Sequence, residues 1–492
     1  MSRTYDELAG PSSRGIHFRP ERSRVRDLFA GDVRATLRCA GVELPVVDLS
    51  MNGIAVLAPI DAPLPPLGQE LEGSLLLDGR LSFQGRLRLA RTEPSALGNR
   101  LGLAVAQGFI DLPALARQVE EERLVRDLAL GAEPGQGLVS QDYLRALQRV
   151  VAFVQFYRTV LSRHEARCKA EGAERAPKAL AELEFKALQA LRAPWTELRL
   201  EACRAVRPMM EDRSQRAAAK ALTQTLLTPL LMESPCVARS FLKPLGYPGD
   251  YQVMLHCYED ALEGETAFGR VFHKLWIEHP MPSGVRTRCD LVVELILQQL
   301  ELRRDPQQTL RVTLLGCGPA REIGGFVERQ LAWPGSIRWT LIDQEEEALS
   351  LAWRTARPLL GSESRKAELR CLTLSFTQLL QDPGILPGGA GEDFIGCSGL
   401  FDYLRDPLAQ SLLLEMYQRL APGGRLAVGN AIGPDAEFWS PEMVLDWHMI
   451  YRTREQMLAL AARLPAHAEV DVQQESGGAY HFLIVRRPEE VA

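Results

Sequence analysis

The chain has 492 residues, 46% of them apolar and 24% charged, which excludes a largely disordered protein and suits about three domains. With 57 basic against 63 acidic residues the net charge is -6, so the whole-molecule field argues against general nucleic-acid binding. Nine scattered cysteines, odd in number and never spaced CxxC, argue against a disulfide framework or a zinc site. No apolar leader opens the sequence and no run of roughly 18 apolar residues follows, so a cytoplasmic protein without a transmembrane segment is expected.

Taken in chain order, the first feature is a basic island. Seven arginines (Arg14, Arg19, Arg22, Arg24, Arg26, Arg34 and Arg38) face three acids (Glu21, Asp27 and Asp32). From Val33 to about Phe109, short apolar or alternating runs such as VRATLRCA, VELPVVDLS and IAVLAP are punctuated by Gly, Pro and Asn. Such a pattern predicts a small β-barrel or sandwich. From Leu112 to about Leu231, apolar residues recur at three and four spacing, as in YLRALQRVVAFVQFYRTVL, and predict amphipathic helices. EPGQG at 133–137 reads as a break among them and AEGAERAPKA at 170–179 as a polar loop.

After about Pro306, strands and helices alternate: TLRVTLLG, REIGGFVERQLA, IRWTLID, EEEALSLAWRTARPLL, ELRCLTL, DFIGCS, PLAQSLLLEMYQRLA, RLAVGNA, a helix from about Pro441, AEVDVQQ and YHFLIVRR. Alternation of this kind predicts a mainly parallel sheet with helices on both faces, and such sheets bind ligands beyond the carboxyl ends of their strands.

The main chemical signal is LLGCGPAREI at 314–323. Gly316 and Gly318 allow a sharp strand-to-helix turn and a close backbone approach to a ligand. The next strand ends in Asp343, placed for the hydroxyls of a ribose. A dinucleotide fingerprint wants glycine at position 321, where Arg321 stands, so the pattern favours S-adenosylmethionine over a nicotinamide dinucleotide. LAPGGRLAVGNA at 420–431 resembles the fifth strand of class I methyltransferases. Leu314 stands where those enzymes commonly have an acid, and Ala320 where they have a third glycine.

Together, FLKPLGYPGDYQVM, FGRVFHKL, LLGCGPAREI, LIDQEEEAL, GLFDYLRDPLA, LAPGGRLAVGNA and DWHMIYR resemble the methyltransferases associated with making 3-hydroxypalmitic acid methyl ester. The resemblance covers about half the chain. It implies methyl esterification of a fatty carboxylate, free or carried on an acyl carrier. Such a carboxylate, with a pKa of about 4 to 5, is already ionised at neutral pH and needs no general base. It also implies that Tyr247, Asp250, Tyr251, Tyr403, Tyr451 and Arg452 position the acceptor. Gly316, Cys317, Gly318, Asp343, Gln344, Ser398 and Asn430 are then expected at the donor. Asp402 and Trp447 fall within the same motifs, with Trp447 and Tyr451 expected on one face of a helix. His256, His273, His448 and His481 have no ligand-like spacing, and Glu345 to Glu347 suit a helix first turn, so no metal is expected.

In the N-terminal region Arg22 and Arg26 form RxxxR, and Asp48, Ser50 and Gly53 form DxSxxG. On a small β-barrel the two motifs resemble the PilZ domain, which implies binding of cyclic di-GMP. Arginine forks suit phosphates and the guanine edge, and Asp and Ser suit the other base edge. The expected architecture is multidomain: a PilZ-like β-barrel at 16–111, a helical connector at 112–235, and a Rossmann-like α/β methyltransferase at 236–492. A homodimer is admitted. The rival readings are methylation of a protein or small-molecule amine, and a signalling adapter whose methyltransferase fold only binds ligands.

Overall fold

The computed structural model describes residues 5–6, 17–18, 23–29, 33–39, 41–59, 62, 65–95, 98–132, 138–302, 305, 307–333, 335–361, 366–375, 378, 391–432 and 438–489. It divides into two compact units, Met1–Pro134 and Gly135–Ala492. The expected break at 133–137 lies outside the described residues, as does Arg22.

In the first unit six strands close a barrel: β1 (Ala35–Cys39), β2 (Val42–Ser50), β3 (Gly53–Ala58), β4 (Glu70–Leu77), β5 (Arg80–Ser95) and β6 (Gly98–Val105). Antiparallel neighbours run in the order β2-β1-β4-β5-β6-β3, and pairing of β3 with β2 completes the ring. Closure leaves no open sheet edge among these strands, which suits short segments that could not hold a flat sheet alone. Alternate residues point inward, so Leu37, Leu49, Leu75, Leu87 and Leu103 fill the interior. Helix α1 (Leu112–Ala132) follows, and its Leu112, Leu115 and Val119 pack on the same core.

The second unit opens with a helical hairpin, α2 (Gln141–Ala170) and α3 (Ala176–Val206). Ser140 caps α2 by accepting the Tyr143 N–H at 3.2 Å. Shorter helices follow, among them α4 (Arg213–Leu226), α5 (Pro235–Leu242), α6 (Tyr251–Glu259), α7 (Ala267–Ile277) and α8 (Pro280–Glu301). Phe153, Trp195 and Phe272 join α2, α3 and α7, the Trp195 and Phe272 rings meeting edge-on at 5.5 Å. No described helix is long and apolar enough to cross a membrane.

The sheet of this unit contains β7 (Leu310–Leu315), β8 (Ser336–Asp343), β9 (Lys366–Thr373), β10 (Glu392–Cys397), β11 (Leu420–Ala431), β12 (Glu469–Gln474) and β13 (Tyr480–Arg486). Their order is β9-β8-β7-β10-β11-β13-β12. β7 to β11 run parallel to one another, and β13 runs antiparallel to both β11 and β12. All six residues of β7 are buried, as a central parallel strand covered on both faces requires. Helices α8, α9 (Arg321–Arg329) and α10 (Glu346–Leu360) cover one face, and α11 (Asp406–Gln418) and α12 (Arg454–Ala459) the other. The expected barrel, helices and α/β sheet are therefore all present. Strand order reverses between β7 and β10, where a ligand crevice opens in folds of this kind.

One element differs from expectation. The segment after Pro441 is a short π-helical turn, Trp439–Val444, followed by non-helical chain through Arg452, so Trp447 and Tyr451 share no helix face. Asp446 is left-handed at φ 53°, which ends the turn. Its carboxylate receives Lys220 at 2.6 Å and Lys243 at 2.8 Å. Burial would raise this carboxyl, but bonds from His448 and the two lysines outweigh it and hold the group well below the usual range. Downstream, the N–H groups of Ile450 and Arg452 donate to the backbone carbonyls of Asp402 and Ala431. The chain is thereby held by tertiary bonds that a helix would have kept within itself.

Candidate functional site

The turn after β7 is built from positive φ angles: 63° at Gly316, 50° at Gly318 and 49° at Ala320. A Cβ added at either glycine meets no protein atom within 4 Å, so the turn faces open space. Its backbone is anchored from below, because the Ile342 carbonyl accepts the N–H groups of Gly316 and Cys317. The Cys317 thiol is buried and pushed up by that burial and by Asp343 and Glu322, which leaves it an inert packing group.

Asp343 ends β8 beside this turn. One oxygen accepts the Gly318 N–H at 2.8 Å and the other the Glu345 N–H at 3.0 Å. Burial raises the carboxyl, opposed by these N–H groups and that of Gln344. Two carboxylate oxygens offer about four acceptor positions, so hydroxyl donors can still be received.

The segment YPGDY approaches the same corner. The half-buried Tyr247 hydroxyl bonds the Gln344 side chain, and burial together with Asp343 and Glu345 raises it. Asp250 caps α6 by accepting the N–H groups of Gln252 and Val253, and both its oxygens receive Arg239 Nε at 2.8 Å. Tyr251 donates to Glu347 at 3.0 Å. Of these three, Tyr247 lies closest to the turn's chemistry, whereas Asp250 is committed to a cap and an ion pair.

A cavity of about 70 Å³ lies between α6, α8, the end of β10 and the 440–449 segment. Its walls are mostly apolar, from Val253, Trp276, Met281, Val285 and Met449, with Tyr403, Trp447 and Tyr480 at the polar end. Trp447 Nε1 donates to the Tyr403 hydroxyl at 2.8 Å, and Gly249 packs so closely that a Cβ would lie 2.5 Å from the Trp447 ring. Asp402 also lines the cavity, accepts the Ala431 N–H at 2.6 Å, and is pushed up to about 6 by burial.

Sequence reading passed over Arg288, which also lines this cavity. It sits on α8 at 7% exposure, with its guanidinium 4.7 Å from the Tyr480 ring centre and 3.5 Å from Met254 Sδ. Burial works against its charge, and Tyr480, Tyr258, Asp402 and Tyr403 raise it on balance. No motif marks it; the only signal was an arginine on an otherwise apolar helix face.

Arg452, by contrast, is internal. Its guanidinium donates to the Phe401 carbonyl, the Leu404 carbonyl, Asn430 Oδ1 and Asp406. Asn430 Nδ2 in turn donates to the carbonyls of Ala431 and Ile450. Neither residue lines the cavity, so the pair pins the loop after β10 to β11. Ser398 is half-buried directly after β10, and Tyr451 packs against the sheet core.

His256 and His273, distant in sequence from any ligand pattern, meet around Glu263. His256 Nδ1 lies 2.8 Å from Glu263 Oε2, and His273 Nε2 lies 3.6 Å from Oε1. His273 Nδ1 accepts the Cys236 N–H at 3.4 Å, which leaves the proton on Nε2, facing the carboxylate. Burial pushes His273 down to about 4; although the sequence spacing of these histidines suggested no ligand set, the fold brings the ligand atoms of the three residues within 4.8 Å of one another, a grouping that could hold a metal ion.

On the barrel, DLSMNG forms the β2–β3 hairpin. Asp48 is buried beside a bulge and pairs with Arg100 of β6, and Ser50 Oγ donates to the Gly53 carbonyl at 3.3 Å. Arg26 lies in one helical turn, Val25–Leu28, just before β1.

No family model matches the chain, and no curated protein does. Solved structures similar to it include a possible exported protein from Bordetella parapertussis, at 17% identity and TM-score 0.41, covering 56% of this chain and 97% of that one. Another is magnesium protoporphyrin IX methyltransferase from Synechocystis PCC 6803 with bound SAH, at 11% and 0.34, covering 51% and 98%. A third is the N-methyltransferase NodS from Bradyrhizobium japonicum WM9, at 17% and 0.26, covering 41% and 98%.

Proposed function

We propose that the chain is an S-adenosylmethionine-dependent methyltransferase that esterifies the carboxylate of a 3-hydroxy fatty acid, under the control of cyclic di-GMP. The observation that carries methyl transfer is the left-handed glycine turn, open on its ligand side and tied to Asp343 at the reversal of strand order. These residues fit the donor: Gly316 and Gly318 leave room for it, Asp343 can accept its ribose hydroxyls, and Tyr247 with Gln344 covers the corner. When bound, the donor supplies an electrophilic methyl group on a sulfonium. The protein's own contribution is alignment and exclusion of water, and a carboxylate acceptor asks for no proton transfer.

The acceptor reading rests on the resemblance of the YPGDY and GLFDYLRDP segments; the cavity of about 70 Å³, with apolar walls and a polar end, has room for the head of such an acid and not for its whole chain. The test is incubation of the purified protein with labelled donor and 3-hydroxypalmitate, with labelled methyl ester as the expected product. Activity should persist well below pH 7, because the acceptor stays ionised there. A second reading, transfer to an amine, draws on Asp402, whose carboxylate lines the cavity and could take a proton. An amine acceptor would lose rate steeply as the medium turns acidic, and methylated amine without ester would refute the first reading.

Regulation rests on RxxxR and DxSxxG, supported by the closed barrel and by Asp48 and Ser50 at one hairpin. Turnover should change by about 5- to 150-fold with cyclic di-GMP, and Arg26→Ala should abolish that response while leaving basal turnover intact. Binding without a kinetic effect would assign the barrel to localisation or docking.

A further inference from the structure

We propose that Arg288 is a carboxylate receptor at the polar end of the cavity, taking the acid group of a ligand bound beside the glycine turn. The proposal rests on the methyltransferase reading above and deepens it.

Arginine is rarely buried unless it is paired. Arg288 is buried, yet among the described residues no carboxylate lies within ion-pair distance, and its Nε has no hydrogen-bond partner. What surrounds it is soft or aromatic: Met254 Sδ, the Tyr480 ring and the backbone at Gly399. These contacts hold the guanidinium in place without neutralising it. Asp402 and Glu322 act on it through space, but among the described residues neither reaches it at ion-pair distance.

Gly399 is part of the design. A Cβ there would stand 3.1 Å from Nη2 and press on the guanidinium, which glycine lets lie close against the chain two residues past the end of β10. That point borders the strand-order reversal, on the side away from Asp343. A planar fork suits a carboxylate in two-point contact, which an ammonium cannot reproduce. The apolar walls beyond it suit a ligand with an acid head and a hydrocarbon body.

Two ligands offer that head, the amino-acid end of the donor and the acid of the acceptor. Calorimetry on the full chain separates them with four probes: S-adenosylhomocysteine, 5′-methylthioadenosine (which lacks the carboxylate), 3-hydroxypalmitate, and 1,3-hexadecanediol (which lacks it likewise). In Arg288→Gln, loss of about tenfold or more in S-adenosylhomocysteine affinity, with 5′-methylthioadenosine unchanged, assigns the receptor to the donor. The same loss for 3-hydroxypalmitate, with the diol unchanged, assigns it to the acceptor. Arg288→Lys keeps the charge and guards against a folding failure in the glutamine variant; it should show a partial loss in the same arm. A folded variant that binds both acids as tightly as the natural chain overturns the proposal and leaves the methyltransferase reading standing. Failure of the natural chain to bind S-adenosylhomocysteine refutes that reading instead, and the fatty-acid arm then decides Arg288 alone. If the natural chain binds neither acid, both fall.

Discussion

Asp343 Oδ2 accepts the N–H of Gly318 at 2.8 Å, so the end of β8 and the turn after β7 form one rigid corner. A single carboxylate thus shapes the turn and presents its remaining acceptor positions to the open side. Shape and binding can be separated by choosing what replaces it.

Asp343→Asn keeps an oxygen for the Gly318 N–H but loses charge and one acceptor. S-adenosylhomocysteine affinity should fall by about tenfold, with a loss of thermal stability smaller than that of Asp343→Ala, because the amide NH2 then faces the Glu345 N–H. Asp343→Ala should lose affinity further and also lose stability, because the Gly318 and Glu345 N–H groups are left without their acceptor. Unchanged affinity in both variants, by calorimetry, would remove Asp343 from the site.

Arg452→Met should act on stability rather than on the acceptor. It strips donors from the Phe401 and Leu404 carbonyls and from Asn430, at a cost of about 3 kcal/mol or more in denaturant unfolding. A stable variant with a selectively raised KM for the fatty acid would show instead that Arg452 meets substrate.

Gly249→Ala should disturb the cavity wall while sparing the donor corner. The new methyl would lie 2.5 Å from the Trp447 ring and must displace it, breaking the bond from Trp447 Nε1 to the Tyr403 hydroxyl. Tryptophan fluorescence should shift and the acceptor KM rise, with S-adenosylhomocysteine affinity unchanged. Equal losses for donor and acceptor would contradict this division of the site.

Asp402 gives a pH signature of definite sign. Burial raises its folded pKa from 3.8 to about 6, so the folded chain binds the extra proton between those values. The stabilisation is full below about pH 4 and is lost as pH rises through about 6, amounting to about 3 kcal/mol across the window. Asp402→Asn does not titrate, so its stability relative to the natural chain should improve between pH 4 and pH 7. A constant difference in urea unfolding at the two pH values would refute this.

The sequence by itself determined the order of modules, the glycine turn and the acid that ends the next strand. These are local matters: apolar period, turn glycines and strand ends are written within a few neighbouring residues. What only the tertiary structure decided is which charged and polar groups face the site. Arg452 falls in a motif that the linear reading places at the acceptor and Arg288 falls in none, yet both are buried. Four partners from other segments hold Arg452 in the interior, whereas Arg288, among the described residues, lies against sulfur, an aromatic ring and a glycine backbone. Likewise the segment from Asp446 to Arg452, where Trp447 and Tyr451 have helical spacing in the sequence, is held in non-helical form by bonds to Lys220, Lys243, Asp402 and Ala431. A buried charge is defined by its surroundings, and those surroundings come from residues hundreds of positions apart that only the folded chain brings together.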